Sequence, residues 1–444
     1  MLLSVNHLEL GNKEVLDAFV SNSVYGTTPF VVGLIILAVA LVMGATVVKN
    51  RSLVSSAKVD QKKPSTVPSQ QQPKKKLGAV CPFSKETSFE VEIAEHLELA
   101  PLDLFEQWVD DDANFKDPKP LAARWLAAGL SGQDVPGMLR SGLKRLRNSR
   151  HFLVEEPHRM RHELLLKQKA LDDPKRHPVV FVAEPSSLEA QRECLELHLS
   201  YLPVRYPDLY TYDKEGGGSI TVKPLEKTFF IKDWIDNRPL ELCERIVQED
   251  LILMRCETSM PKDPSEKPVQ SFHMAAAAVV FSFNELSEKL GKPAEFIHAP
   301  VPGFEKHLRK SLNLTFSTLK AEKPLWRNNW GLAPSGSLDE PLYGSTEALE
   351  LRRMVKVTPE DVKATKFIKV EYQTIRRLPR TNTLLFTVKT MADPMSSLEA
   401  VPLAAACLAA SIRGMSPAMR AYKGIENEET NQAVLAYLDS ISPK

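Results

Sequence analysis

The chain has 444 residues, 43% hydrophobic and 25% charged, with a net charge of +1. That length accommodates one large globular domain with accessory segments, and a net charge this small gives no overall field for nucleic acid. Cys81, Cys194, Cys243, Cys256 and Cys407 are far apart in sequence, with no CxxC motif or Cys/His cluster. This points away from a disulfide framework or a zinc site and toward a reducing compartment.

Residues 1–28 form a short leading segment in which Glu9, Glu14 and Asp17 oppose Lys13. Residues 29–48 are apolar and uncharged, and about 20 such residues are what a helix needs to cross a bilayer. A cleavable signal peptide carries basic residues before a shorter apolar stretch, which is not the pattern here. Lys49, Arg51, Lys58, Lys62, Lys63 and Lys74-Lys75-Lys76 follow. The bias of positive charge predicts a single-pass membrane protein, its N-terminus lumenal or outside and the remainder cytosolic. Residues 49–80, rich in Lys, Gln, Ser and Pro, are too polar to bury a core and read as a flexible basic tether. Residues 81–137 read as a pre-domain with helices at 102–109 and 121–130.

The main domain is expected over 138–440. Helices are predicted at 162–171 and 187–202, and Gly216-Gly217-Gly218 is a turn between short strands that lacks the spacing of a nucleotide loop. A helix over 239–254 would align Leu240, Cys243, Val247, Leu251 and Met254 in one stripe, with Asp250 at its margin and Glu249 nearly opposite. A carboxylate at the margin of an apolar face is paired, protonated or facing a cavity. After the apolar run 275–283, Asn284 caps a predicted helix at 285–290, ended by Gly291. His298 then stands at a corner where Pro300 and Pro302 fix the backbone and remove its donors. A helix at 304–312 and an aromatic, polar loop at 323–330 follow. Strands at 367–378 and 383–390 form a hairpin around Pro379-Arg380-Thr381-Asn382. Ile368, Val370 and Tyr372 share one face of the first strand, and Glu371, Gln373 and Arg377 the other. Helices at 398–413 and 428–439 close the chain. Strands mixed with flanking helices, without a regular βαβ repeat, give an α+β fold class.

Several blocks of residues 138–440 carry a resemblance. They are Arg205-Tyr206-Pro207, Val247-Gln248-Glu249-Asp250-Leu251, Lys289-Leu290-Gly291 and Ile297-His298-Ala299-Pro300-Val301-Pro302. Further on come Arg327-Asn328-Asn329-Trp330, Gln373-Thr374-Ile375-Arg376-Arg377-Leu378-Pro379, Leu385-Phe386-Thr387-Val388, Met415-Ser416-Pro417 and Ala421-Tyr422-Lys423-Gly424. In that order they resemble the haem-dependent oxidative N-demethylases of the α-subunit-like family, here with a membrane anchor outside the family core. The resemblance implies a PAS-like antiparallel sheet wrapped by helices around haem b. It also implies O₂-dependent removal of a methyl group from a small amine, with electrons from a separate flavin- and NAD(P)H-using reductase; this chain has no flavin or nicotinamide fingerprint of its own. Haem iron takes a neutral imidazole as axial ligand, so His298 is the candidate metal ligand and His273 the second choice. Propionates favour guanidinium partners, which nominates Arg327, Arg376 and Arg377, with Gln373 in the same cofactor-binding set. Glu249 or Asp250 would bind the cationic amine and take its proton, and Trp326, Trp330 and Tyr372 would pack against the macrocycle or the substrate. Two other readings stay open: a non-catalytic haem or small-ligand sensor, and a tethered scaffold without cofactor.

Overall fold

The computed structural model describes residues 141–260, 263, 265, 268–281, 286–338 and 357–443. The expected span at 29–48, the tether, the pre-domain with its two helices, and Asn284 and Glu285 lie outside the described residues. Among the described residues, no helix is long and apolar enough to cross a membrane.

The strands in chain order are β1 (Lys144–Arg145), β2 (Phe181–Ala183), β3 (Tyr210–Asp213), β4 (Ser219–Val222), β5 (Lys227–Phe230), β6 (Asp250–Ser259), β7 (Val269–Ala278), β8 (Leu325–Ala333), β9 (Phe367–Arg377) and β10 (Leu384–Pro394). The helices are α1 (Pro157–Asp172), α2 (His177–Val180), α3 (Leu188–Arg205), α4 (Pro239–Ile246), α5 (Leu286–Lys289), α6 (Ala294–His298), α7 (Phe304–His307), α8 (Arg309–Thr318), α9 (Pro359–Thr365), α10 (Pro402–Gly414), α11 (Pro417–Tyr422) and α12 (Glu428–Ile441). Seven strands form an antiparallel sheet in the order β1-β8-β9-β10-β6-β7-β2, and β3-β4-β5 form a small second sheet. The fold is α+β, a large antiparallel sheet wrapped by helices.

The β9–β10 hairpin follows the sequence expectation. Its register runs from Arg377 opposite Leu384 to Phe367 opposite Pro394, and Asn382 takes the left-handed conformation (φ 59°) that its short polar side chain tolerates. The amides of Arg380 and Thr381 at the tip donate to the Glu193 carboxylate of α3 at 2.7 and 2.8 Å, which fixes the hairpin against that helix. Gly216–Gly218 is a turn between β3 and β4 as expected.

Two expectations are corrected. The helix expected over 239–254 ends at Ile246, and β6 begins at Asp250. Leu251 and Leu253 pack into one core cluster while Ile252 and Met254 pack into another. An apolar run buried on both faces has no polar alternation, so it matches a helical stripe as well as it matches a strand. The loop expected at 323–330 is instead most of β8, paired along its length with β9. Its Asn328-Asn329 pair carries little strand propensity, and the ladder overrides it. Smaller differences concern helix ends. The third helix runs to Arg205, the helix expected at 304–312 is split into α7 and α8, and α10 starts at Pro402 after a 3₁₀ turn.

The sheet separates two cores. One face packs Leu251, Leu253, Trp326, Trp330, Ile368, Val370 and Tyr372 against apolar residues of α1, α3, α4, α10 and α12. The other packs Ile252, Met254, Phe272, Ile375 and Val388 against Ala294 of α6, Phe316 of α8 and Leu319. The outer edge of β8 is closed by the segment after α11, where the Leu332 amide donates to the Lys423 carbonyl at 2.7 Å. Gly424 has φ +83°, and a Cβ there would lie 2.1 Å from the Leu332 carbonyl oxygen, so only glycine fits.

Candidate functional site

Strand parity and register decide which polar side chains meet. Arg327 lies opposite Gln373 and Asn329 opposite Glu371 on β8 and β9, so these four share a face. It is the face that α6 and α8 cover. Arg327, Asn329 and Gln373 are half-buried, whereas Glu371 is only 5% exposed.

His298 is the last residue of α6. The Val301 amide donates to its carbonyl at 3.0 Å as the chain turns through the proline corner, so a rigid backbone positions the ring. The imidazole stacks on Phe304 with centroids 5.5 Å apart and planes 16° apart. Nδ1 lies 2.7 Å from the Ala294 carbonyl oxygen, which assigns the proton to Nδ1 and leaves the lone pair on Nε2. Nε2 makes no hydrogen bond among the described residues. Burial holds the pKa below the usual imidazole range, and the Arg327 guanidinium lowers it further against the Ala294 bond and Glu295. A neutral imidazole with Nδ1–H tethered to a carbonyl and Nε2 open is the form that ligates a metal or haem iron.

On the same face of the sheet as Arg327 runs a chain of polar contacts. Glu371 Oε2 accepts from Asn329 Nδ2 at 3.1 Å and from Gln373 Nε2 at 2.8 Å. Lys423 Nζ donates to Asn329 Oδ1 at 2.6 Å and to the Trp330 carbonyl at 2.8 Å. Burial raises the pKa of Glu371, and the Asn329 bond, the Lys423 and Arg327 charges and the Gln373 bond pull it back only in part. Asn329 and Lys423 stand in blocks that carry the resemblance but are not among the site residues it nominates. The available signal was the matching i, i+2 polar pairs, Arg327/Asn329 and Glu371/Gln373, which become one cluster once the two strands are paired.

The other nominated arginines are elsewhere. Arg376 has the opposite parity and is buried beneath the sheet, its guanidinium 5.4 Å from the Phe152 ring; Tyr372 shares that face, and its hydroxyl donates to the His151 carbonyl at 2.7 Å. Arg377 stays on the His298 side, but its guanidinium is engaged at the strand end. It donates to the Leu319 carbonyl at 2.6 Å, to Asn382 Oδ1 at 2.7 Å and to the Phe316 carbonyl. Trp326 and Trp330 pack in the opposite core. His273 on β7 has both ring nitrogens engaged, Nδ1 by the Gly291 carbonyl and Nε2 by Ser271 Oγ, each at 3.0 Å.

Glu249 and Asp250 are not brought to His298. They belong to a buried network with α1 and α4. Lys167 Nζ contacts Glu244 at 2.7 Å, Asp250 at 3.4 Å and the Glu249 carbonyl at 2.5 Å. Asp250 accepts from the amides of Val280 at 2.9 Å and Phe281 at 3.0 Å, and Glu249 accepts from the Val154 amide at 2.6 Å. Nearby, Lys389 Nζ lies 3.3 Å from Glu163 and 3.7 Å from Glu156. Burial raises the pKa of Glu249 against the pull of Lys389 and the Val154 amide. Such a network orders α1, α4 and the start of β6 relative to one another.

The sequence showed no Cys/His cluster, yet the fold assembles one. Donor atoms of Cys194, His198 and Cys243 lie within 4.8 Å of one another in the core. Cys194 and His198 are one turn apart on α3, and Cys243 comes from α4. Burial opposes ionisation of Cys194, but hydrogen bonds from Cys243 and His198 bring its pKa down to about 6. His198 Nδ1 lies 2.7 Å from the Cys194 carbonyl oxygen. The proton placed there leaves the nitrogen nearest the sulfur without a lone pair for a metal.

Against this geometry, a family model described as haem-dependent oxidative N-demethylase, alpha subunit-like, matches residues 142–434.

Proposed function

Because the chain belongs to the haem-dependent oxidative N-demethylase, alpha subunit-like family, we propose that its main domain is a haem-dependent oxidoreductase that removes a methyl group from a small amine. The observation that carries this reading is the state of His298, neutral, tethered through Nδ1–H to the Ala294 carbonyl and open at Nε2. Haem b, when bound, supplies O₂ activation and oxidation of the methyl carbon, with electrons from a separate flavin- and NAD(P)H-using reductase. His298 Nε2 would hold the iron, and the Ala294 bond and the Phe304 stack keep the ring in one orientation for it. Arg327 supplies a permanent positive charge for a propionate from the paired strands of a PAS-like sheet, and Gln373 stands opposite it. Arg376 and Arg377 hold the sheet instead, through the Phe152 ring and the carbonyls of Phe316 and Leu319 at the end of α8. The uncharged run 29–48 and the lysines that follow it support a membrane anchor with the domain on the cytosolic side.

The test is absorption spectroscopy on the full chain expressed with ample haem supply. A Soret band is expected, and His298→Ala should shift or abolish it while far-ultraviolet circular dichroism stays unchanged. After reduction, O₂-dependent formaldehyde release from a methylated amine marks the enzyme; a stable band without formaldehyde marks a sensor. A colourless, well-folded protein ends the haem reading.

A further inference from the structure

We infer that Glu371 is the carboxylate that binds the ammonium group of a methylated amine at the His298–Arg327 face of the sheet. This rests on the haem reading above, and it moves the substrate carboxylate from the buried Glu249–Asp250 pair to the site itself.

Buried carboxylates are almost always matched by a cation, because an uncompensated charge away from water is costly. Glu371 is 5% exposed, yet it has no ion pair within 4.0 Å among the described residues. Its partners are two neutral amides, both on Oε2, so Oε1 is left to a ligand. Lys423 is close but donates to Asn329 Oδ1 and the Trp330 carbonyl. The two amides are themselves held: Gln373 shares its strand with Glu371, and Asn329 is clamped by Lys423. They therefore fix the carboxylate plane before a ligand arrives, which lowers the cost of binding. The side chains beside it, Arg327, Asn329 and Gln373, are half-buried, so solvent reaches this part of the face. A small cation bound at Oε1 would give Glu371 the direct ion pair that Arg327 and Lys423, acting at longer range, do not.

The charged groups facing Glu371 are Arg327 from β8 and Lys423 after α11; Thr390, opposite it on β10, is neutral. Burial raises the carboxyl pKa of Glu371, and only the carboxylate attracts an ammonium, so affinity rises as pH climbs through a carboxyl pKa above the ordinary range. It falls again when the amine itself loses its proton, near about 10 for an alkylamine.

The experiment is calorimetric titration of the haem-loaded full chain with dimethylaminoethanol and with its uncharged isostere, isoamyl alcohol. The native chain should prefer the amine by about tenfold or more, with the pH dependence just described. Glu371→Gln should remove the preference and leave the Soret band unchanged, and Glu371→Asp should keep part of it. If Glu371→Gln does not fold, the native chain's charge preference and its acid limb, together with Glu371→Asp, decide the matter. Equal affinity for the two compounds, or a preference that survives Glu371→Gln, overturns the inference. An absent Soret band refutes the haem reading instead, and the amine-to-alcohol ratio still reads Glu371.

Discussion

Asp250 separates a structural carboxylate from a substrate-binding one. Its side chain is fully buried and accepts from two backbone amides, Val280 at 2.9 Å and Phe281 at 3.0 Å, and it lies 3.4 Å from Lys167. Asp250→Ala leaves both amides without an acceptor, at about 1–3 kcal/mol each. It also removes one of the two carboxylates around Lys167. That lysine keeps Glu244 at 2.7 Å and the Glu249 carbonyl, so the loss is smaller than the roughly 3–5 kcal/mol of a fully stranded buried charge. The expected total is about 3–5 kcal/mol, a large share of the roughly 5–15 kcal/mol that holds a typical domain folded. Asp250→Asn keeps an oxygen for the amides and loses only the charge, so it should cost about 1–2 kcal/mol. Guanidinium unfolding of the full chain followed by circular dichroism measures both, read as a shift in midpoint at constant slope. An Asp250→Ala protein that unfolds at the native midpoint but no longer binds amine would refute the reasoning and return Asp250 to the substrate site.

Two further outcomes are expected, one from the structure and one from the sequence. Burial pushes the Glu156 pKa up to about 7 against the pull of Lys389. The folded state therefore binds a proton that the unfolded chain, at about 4.3, releases, and stability falls as pH rises from about 4.3 through about 7. Glu156→Gln should flatten that part of the stability profile, and an unchanged slope in a pH series of unfolding midpoints would contradict the assignment. Deleting residues 29–48 should convert a carbonate-resistant membrane protein into a soluble one; a deletion variant still embedded in membrane would rule out a single-pass anchor.

Some of this was legible in the residues alone. Proline pinned the His298 corner, because Pro300 and Pro302 fix φ and remove donors whatever packs around them. The β9–β10 hairpin was legible because Ile368, Val370 and Tyr372 alternate with polar residues and a turn segment separates two such runs. Local chemistry sufficed in both cases. The run Leu251-Ile252-Leu253-Met254 did not allow the same reading. Both of its faces are buried, and only the neighbouring strands β7 and β10 decide that it is a strand. The identity of β8 was likewise settled by its ladder to β9.

The site divides in the same way. The residue types of haem and amine chemistry stood in the sequence, but their grouping depended on register. A step of one residue along β9 places Arg376 under the sheet and Arg377 above it, and neither spacing nor composition says which face will be covered by α6. Likewise, Glu249 and Asp250 looked available on a helix that ends at Ile246. The strand that follows turns Asp250 toward the amides of Val280 and Phe281. The chain by itself determined the histidine, its rigid corner and the hairpin, since each rests on neighbours in sequence. Only the tertiary structure decided which arginine and which carboxylate share a face with that histidine, because pairing between distant strands sets the distances over which charges and hydrogen bonds act.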